Sequence, residues 1–127
     1  MAKYPQQAGS AWRVVGESNL AERKFGDAAA AFAEEAAARP EGDERRAALW
    51  NRAESYFFGA MWDSATDAYR AFTGRYLRDG RSQDALSRML LIGDSQDADE
   101  ATLAAFAGAA FVARTSPERA EIGRAHV

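Results

Sequence analysis

The side chains that could do chemistry are few and scattered. The chain has no cysteine and a single histidine, His126. Thiolate nucleophiles, disulfides and cysteine–metal sites are therefore excluded, and no serine has a histidine elsewhere in the chain to act as its base. His126 lies in the last six residues with no supporting pattern, and no catalytic or metal role is placed on it. Neither Gly-x-Gly-x-x-Gly nor Gly-Lys-Ser/Thr occurs, so no phosphate-cradling loop is expected. The acidic run over residues 94–100 invites a calcium reading. An EF-hand loop needs oxygen ligands at alternate positions and a glycine at the sixth. From Asp94 the alternate positions fall on Gln96 and Ala98, and from Asp97 the sixth is Thr102. The pattern fails, and the run reads as an acidic cap favoured by a helix dipole.

Five arginines, Arg70, Arg75, Arg78, Arg81 and Arg88, gather near Tyr69, Phe72 and Tyr76. Basic residues interleaved with rings are the footprint of a nucleic-acid surface. Here the rings stand at core spacing, and 16 basic against 19 acidic residues leave a net charge of −3. The cluster reads as a solvated basic face, with a docking point for an acidic partner as the alternative. No nucleic-acid partner, cofactor or metal is expected, and the chain is not expected to be an enzyme. Its length of 127 residues suits one domain. With 47% hydrophobic and 28% charged residues it is ordinary for a folded chain. No stretch approaches the length of a membrane span, and the first residues lack the apolar core of a signal peptide. No direct membrane insertion is expected.

The elements that must position any site are helices. Over residues 47–72, apolar residues recur at helical spacing twice, first as Leu49, Ala53, Tyr56 and Ala60, then as Trp62, Ala65, Tyr69 and Phe72. Large rings face small alanines across a tight turn, which predicts a helical hairpin. An earlier hairpin begins near Ser10, with Trp12, Val15, Gly16 and Asn19 down one side. Its second helix carries Ala28, Phe32 and Ala36 and ends before Pro40. Glycine inside a helix costs roughly 1 kcal/mol relative to alanine, so Gly16 implies close approach of another helix. Asp43 is the expected N-cap of the next helix.

Shifted by 37 residues, hairpin one lies over hairpin two. Trp12 falls on Leu49, Gly16 on Ala53, Asn19 on Tyr56, Phe25 on Trp62, Ala28 on Ala65 and Phe32 on Tyr69, with Val15 on Arg52 as the mismatch. A fifth helix is expected over residues 82–93, capped by Ser82. A sixth carries Leu103, Phe106, Ala107, Ala110 and Phe111. A shift of 55 residues puts Ala53 on Gly108, Tyr56 on Phe111 and Ala65 on Ala120, which predicts a third repeat displaced by an intervening helix. Ser116, Pro117 and Glu118 predict the start of a seventh.

These residues resemble the tetratricopeptide repeat. The first repeat supplies Trp12, Val15, Gly16, Phe25, Ala28, Phe32 and Pro40, with Asn19 in place of the usual tyrosine. The second supplies Leu49, Ala53, Tyr56, Trp62, Ala65 and Tyr69, with Arg52 and Leu77 departing from the pattern. The resemblance implies an all-α fold, an α-solenoid of antiparallel hairpins with about six helices and a truncated seventh. The expected organisation is a loose arm over 1–9, repeat 1 over 10–40, repeat 2 over 43–77, an intervening helix over 82–93, and a truncated repeat 3 over 99–121. Residues 122–127, Ile-Gly-Arg-Ala-His-Val, resemble one reading frame of a widely used sequencing adapter. That implies a native repeat cut after about Glu121 and a non-native tail, and leaves the compartment open, an envelope location included. The spacing and the extra helix are similar to bacterial helical-repeat proteins of envelope and assembly systems.

In the architecture that the resemblance implies, first helices line a concave groove. Residues off the packing stripe should line it: Ser10, Arg13, Glu17 and Leu20 from hairpin one, and Trp50, Asn51, Glu54, Phe57 and Phe58 from hairpin two. Trp50 and Phe57 invite a role as ring anchors for a partner; the alternative is that the extended arm or a neighbouring helix covers them as core. Ala53→Leu should overfill the hairpin, while Glu54→Ala should scarcely alter stability. Chaperone-binding members of the family clamp a C-terminal carboxylate. Arg13 could stand for their lysine, but Glu17 replaces the asparagine, and Thr102 and Phe106 offer no cation. No chaperone-tail binding is expected. The expected function is a non-enzymatic scaffold that holds a peptide or helix of a partner protein. The alternative is the helical-repeat region of a larger envelope enzyme or assembly factor. Self-association through an exposed apolar face of the sixth helix, Phe106 and Phe111, is a further expectation.

Overall fold

The structure, a computed structural model, describes residues 5–95 and 100–115. Among them are six α-helices and no strand: α1 (Pro5–Ala21), α2 (Phe25–Ala38), α3 (Asp43–Phe58), α4 (Trp62–Arg75), α5 (Arg81–Ser95) and α6 (Glu100–Thr115). Consecutive helices pack on one another from α1 to α5, and α6 packs against both α3 and α5. The expected seventh helix, the adapter-like tail and His126 lie outside the described residues.

The hairpin turns repeat closely. Arg23 and Ala60, 37 residues apart, both take left-handed backbone, at φ 60° and 59°. Lys24 and Met61, which follow them, both stand at φ and ψ near −90° and 73°. The Lys24 amide donates to Asn19 O at 2.8 Å, and the Met61 amide to Tyr56 O at 2.9 Å. Helices α2 and α4 both run 14 residues from an aromatic first position. The 37-residue period is thus written in backbone torsions as well as in side chains.

The small-against-ring pairing explains the close approach. A Cβ on Gly16 would stand 2.7 Å from Phe32 Cε1, so only glycine lets the ring sit there. Ala53 and Tyr69, the equivalent pair, are both fully buried.

Several boundaries differ from expectation. The first helix begins at Pro5 rather than near Ser10, because proline suits the first helical position. Residues 5–9 therefore belong to α1, where Gly9 lies against the Arg39 side chain; a Cβ there would meet Arg39 Cγ at 2.8 Å. Arg39 is buried and donates from Nε to Glu35 at 2.7 Å. The N-cap of α3 is Gly42, at φ 155°, and Asp43 is the first helical residue. Ala60 is exposed in the turn rather than part of the apolar stripe of α3. Ser82 is no cap: its Oγ donates to Tyr76 O at 2.6 Å, and Asp79 Oδ1 accepts the Arg81 amide at 3.0 Å instead.

The largest difference concerns the third repeat. α5 ends at Ser95, 37 residues after the last residue of α3, and α6 starts at Glu100, 38 residues after Trp62. In register, the helix expected as an insertion takes the place of a first helix. The same shift puts Leu90 where Gly16 and Ala53 stand, and Phe106 where Phe32 and Tyr69 stand. Leu90 is 69% exposed and Phe106 48%, whereas both earlier pairs are buried. The third hairpin does not close as tightly as the first two, and α6 packs on α3 as well as on α5.

Candidate functional site

The site begins with three rings at the ends of repeated helices. Phe57 and Phe58 close α3, and Phe25 opens α2; with Leu20 they would leave an apolar face open. α6 covers it. Phe111 stands edge-on to Phe25 at 5.2 Å between centroids and tilts against Phe58 at 5.4 Å. Phe106 stands edge-on to Phe57 at 6.2 Å. Leu103, Ala107 and Phe111, spaced i, i+4, i+8, are buried in the shared core. This is the pattern of a helix laid in an apolar groove.

Polar contacts fix both ends of the seated helix. Trp62 Nε1 donates to Glu100 Oε1 at 3.4 Å, and Arg114 reaches Glu17 of α1 at 3.7 Å. The Arg23 guanidinium lies 5.1 Å over the Phe111 ring.

Beneath the groove lies a buried polar cluster. Glu54 Oε1 accepts hydrogen bonds from the Tyr69 hydroxyl and from Arg88 of α5. Arg88 also donates to the Tyr69 oxygen at 3.2 Å and stands 4.6 Å over the Phe57 ring. Burial pushes the Glu54 carboxyl up from its ordinary value, opposed by the Arg88 charge. Burial pushes the Tyr69 phenol up as well, with the Glu54 charge adding to it. Tyr69 is thus held as a neutral donor, which makes the cluster a cross-helix tie.

Of the residues expected to line an open groove, Glu17, Leu20, Glu54, Phe57 and Phe58 do lie together around one face. Leu20, Glu54, Phe57 and Phe58 are nonetheless buried, at 2%, 5%, 0% and 7% exposure, because α4, α5 and α6 enclose them. Trp50 is half-buried against Tyr69 and Phe72 at 5.4 and 5.5 Å, and Phe57 meets the same Tyr69 ring at 6.2 Å. Asn51 is half-buried, its carbonyl accepting the Ser55 hydroxyl at 2.7 Å. Arg13 and Ser10 are exposed on α1. Phe111, expected to be exposed, is buried, whereas Phe106 is half-open. Phe25, Trp62, Arg23, Arg88 and Arg114 were not anticipated at the site. The pairing of Phe25 with Trp62 in the 37-residue register was the available signal for two of them.

The arginine cluster is largely neutralised within the chain. Arg70 pairs with Asp67, Arg75 with Glu41, Arg81 with Asp79 and Arg88 with Glu54. Tyr69 and Phe72 are core. Among the described residues, no group of three His, Cys, Asp or Glu side chains could hold a metal ion, and no helix is long and apolar enough to cross a membrane.

Comparison with known proteins finds no match among family models, curated sequences or solved structures.

Proposed function

We propose that the protein is a non-enzymatic scaffold, an α-solenoid of tetratricopeptide-like hairpins whose concave face holds an amphipathic helix of another protein. One observation carries this reading: the face built by Phe25, Phe57 and Phe58 already holds a helix, α6, by three buried side chains at i, i+4, i+8. The repeated turn geometry at a 37-residue spacing supports the repeat architecture. The partner helix should present aliphatic and aromatic residues at that spacing, with a basic residue near its end for Glu17. Rings supply most of the affinity, and the rim charge sets orientation.

A fluorescent peptide of residues 100–115, titrated against the full chain, tests it. Saturable binding is expected, weakened by Glu17→Lys and abolished when Leu103, Ala107 and Phe111 of the peptide become serine. Equal signals from both peptides, or from neither, would overturn the reading.

A further inference from the structure

The side of α3 opposite the groove is basic. At 3.6 residues per turn, Arg45, Leu49 and Arg52 fall on one side of the helix and Glu54, Phe57 and Phe58 on the other. The second set is buried and the first half-buried. Between α3 and α4 runs an open seam of about 460 Å³, lined by Leu49, Ala68 and Phe72 and by Arg45, Arg52 and Arg75. Among the described residues no acidic side chain lines it. Arg75 also lines a second opening of about 470 Å³, beside Arg46, Arg78 and Asp79 after α4, so the two meet at Arg75.

The cations here are only partly matched. Glu41, exposed, pairs with Arg75 and accepts the Tyr76 hydroxyl at 3.2 Å. Nε of Arg45 stands 3.9 Å from Glu41 and is buried without a hydrogen bond. Arg46 is matched by Asp43 and Asp79. Arg52 lies 5.6 Å over the Tyr56 ring and Arg78 is exposed; among the described residues neither forms an ion pair. Repeat packing does not call for this charge. Shifted by 37 residues, Arg45, Arg52 and Arg75 fall on Ala8, Val15 and Ala38 of the first hairpin and on Ser82, Met89 and Val112 of the third. Neither hairpin places a cation there, and the mismatch of Arg52 with Val15 is part of this difference.

We infer that the seam is a second docking surface, taken by an acidic segment of another protein that also carries aliphatic side chains. Arg45 and Arg52, seven residues apart, stand about 10 Å apart along α3, so carboxylates two helical turns apart on the partner meet both. An aliphatic side chain between them seats on Leu49. Glu41 is the chain's own stand-in for a partner carboxylate, holding Arg75 until an external acid competes. Nucleic acid fits less well, because it needs rings free to stack on bases. Phe72 is buried, Tyr76 lies under Arg46 and Arg75 at 5.8 and 5.7 Å, and Tyr56 lies under Arg52. The inference goes beyond the helix-binding reading and stands whether or not the concave face holds a helix.

A fluorescein-labelled peptide of repeated Leu-Glu-Glu-Leu-Leu-Glu-Glu blocks, titrated against the full chain by fluorescence anisotropy, tests it. The same peptide with lysine for glutamate and a labelled oligo(dT) strand are the comparisons. The acidic peptide should bind saturably, and more weakly as salt rises; the lysine peptide should not bind. Arg52→Gln with Arg78→Gln should weaken binding roughly tenfold, whereas Lys24→Gln, exposed and outside the seam, should leave it unchanged. Glu41→Gln should tighten binding several-fold, a gain that misfolding does not produce. Circular dichroism confirms that each variant keeps its helix content. The inference is overturned if the acidic peptide does not bind, if both peptides bind alike, if the Arg52 and Arg78 substitutions change nothing, or if Glu41→Gln binds no tighter. Tighter, arginine-dependent binding of oligo(dT) would overturn it in favour of a nucleic-acid surface. Displacement of the acidic peptide by unlabelled 100–115 peptide would overturn it by placing the acidic peptide in the concave groove. Failure of the 100–115 peptide to bind counts against the helix-binding reading alone, since the arginine and Glu41 variants judge the seam by themselves.

Discussion

Arg88 of α5 and Glu54 of α3 form an ion pair across 34 residues of sequence, with side-chain exposures of 19% and 7%. The pair crosses from one repeat to the next. The same Glu54 oxygen also takes the Tyr69 hydroxyl, so one carboxylate joins α3, α4 and α5. Removing one partner of a buried pair leaves the other charge without compensation, at a cost of about 3–5 kcal/mol. Glu54→Ala should lower stability by that order in urea unfolding, and Glu54→Gln by less, because the amide oxygen still accepts from Tyr69. Exposed Glu34→Ala should stay within about 0.5 kcal/mol. An equal, small effect for Glu54→Ala and Glu34→Ala would show that Glu54 faces solvent, as the sequence alone suggested.

Acid sensitivity should trace to Asp79. Hydrogen bonds from the Arg81 guanidinium hold its carboxyl at about 2, below the ordinary 3.8. A carboxyl depressed in the fold stabilises fully above its unfolded value and loses that contribution as pH falls through the folded one. Solvent screening limits the gain to about 1 kcal/mol. Unfolding midpoints of the unsubstituted chain and Asp79→Asn should therefore differ at pH 5 and converge between about pH 4 and pH 2. A difference as large at pH 2 as at pH 5 would refute the assignment.

Gly16 should tolerate nothing larger. Its Cβ position lies 2.7 Å from the Phe32 ring, so Gly16→Ala should cost about 1–3 kcal/mol by overpacking, although alanine is the better helix former. Gly74→Ala, where a Cβ meets nothing within 4 Å, should stabilise by up to about 1 kcal/mol. Thermal unfolding of the two variants should move in opposite directions. If both stabilise, the α1–α2 contact is looser than described.

The two turns carry matched backbone strain. Arg23 and Ala60 both hold positive φ, which costs a residue with a Cβ roughly 1–2 kcal/mol. Arg23→Gly and Ala60→Gly should each relieve part of it, raising the melting temperature. Arg23→Gly gains less, because it also removes the guanidinium over Phe111. A fall in stability at Ala60→Gly would mean that unfolded-chain entropy outweighs the strain.

Residue types and spacing alone determined that this chain forms helices, where most of them turn, and that two of its hairpins share a 37-residue period. Those features are local: apolar periodicity, a glycine or alanine beneath a ring, and a tight turn whose bonds span five residues or fewer. Tertiary structure alone decided which faces are buried. Trp50 and Phe57, seven residues apart, looked like one face of one helix. They do share it, but that face is turned to Tyr69 of α4 and is core, with Phe106 of α6 adding to the cover on Phe57. Glu54 looked like a surface acid because its partner Arg88 lies in another repeat. The seat of α6 was least legible, since a helix apolar all round fits more than one surface. Its place depends on which faces the other five helices leave open. That is a competition between packing arrangements, and a one-dimensional pattern of residues does not contain its outcome.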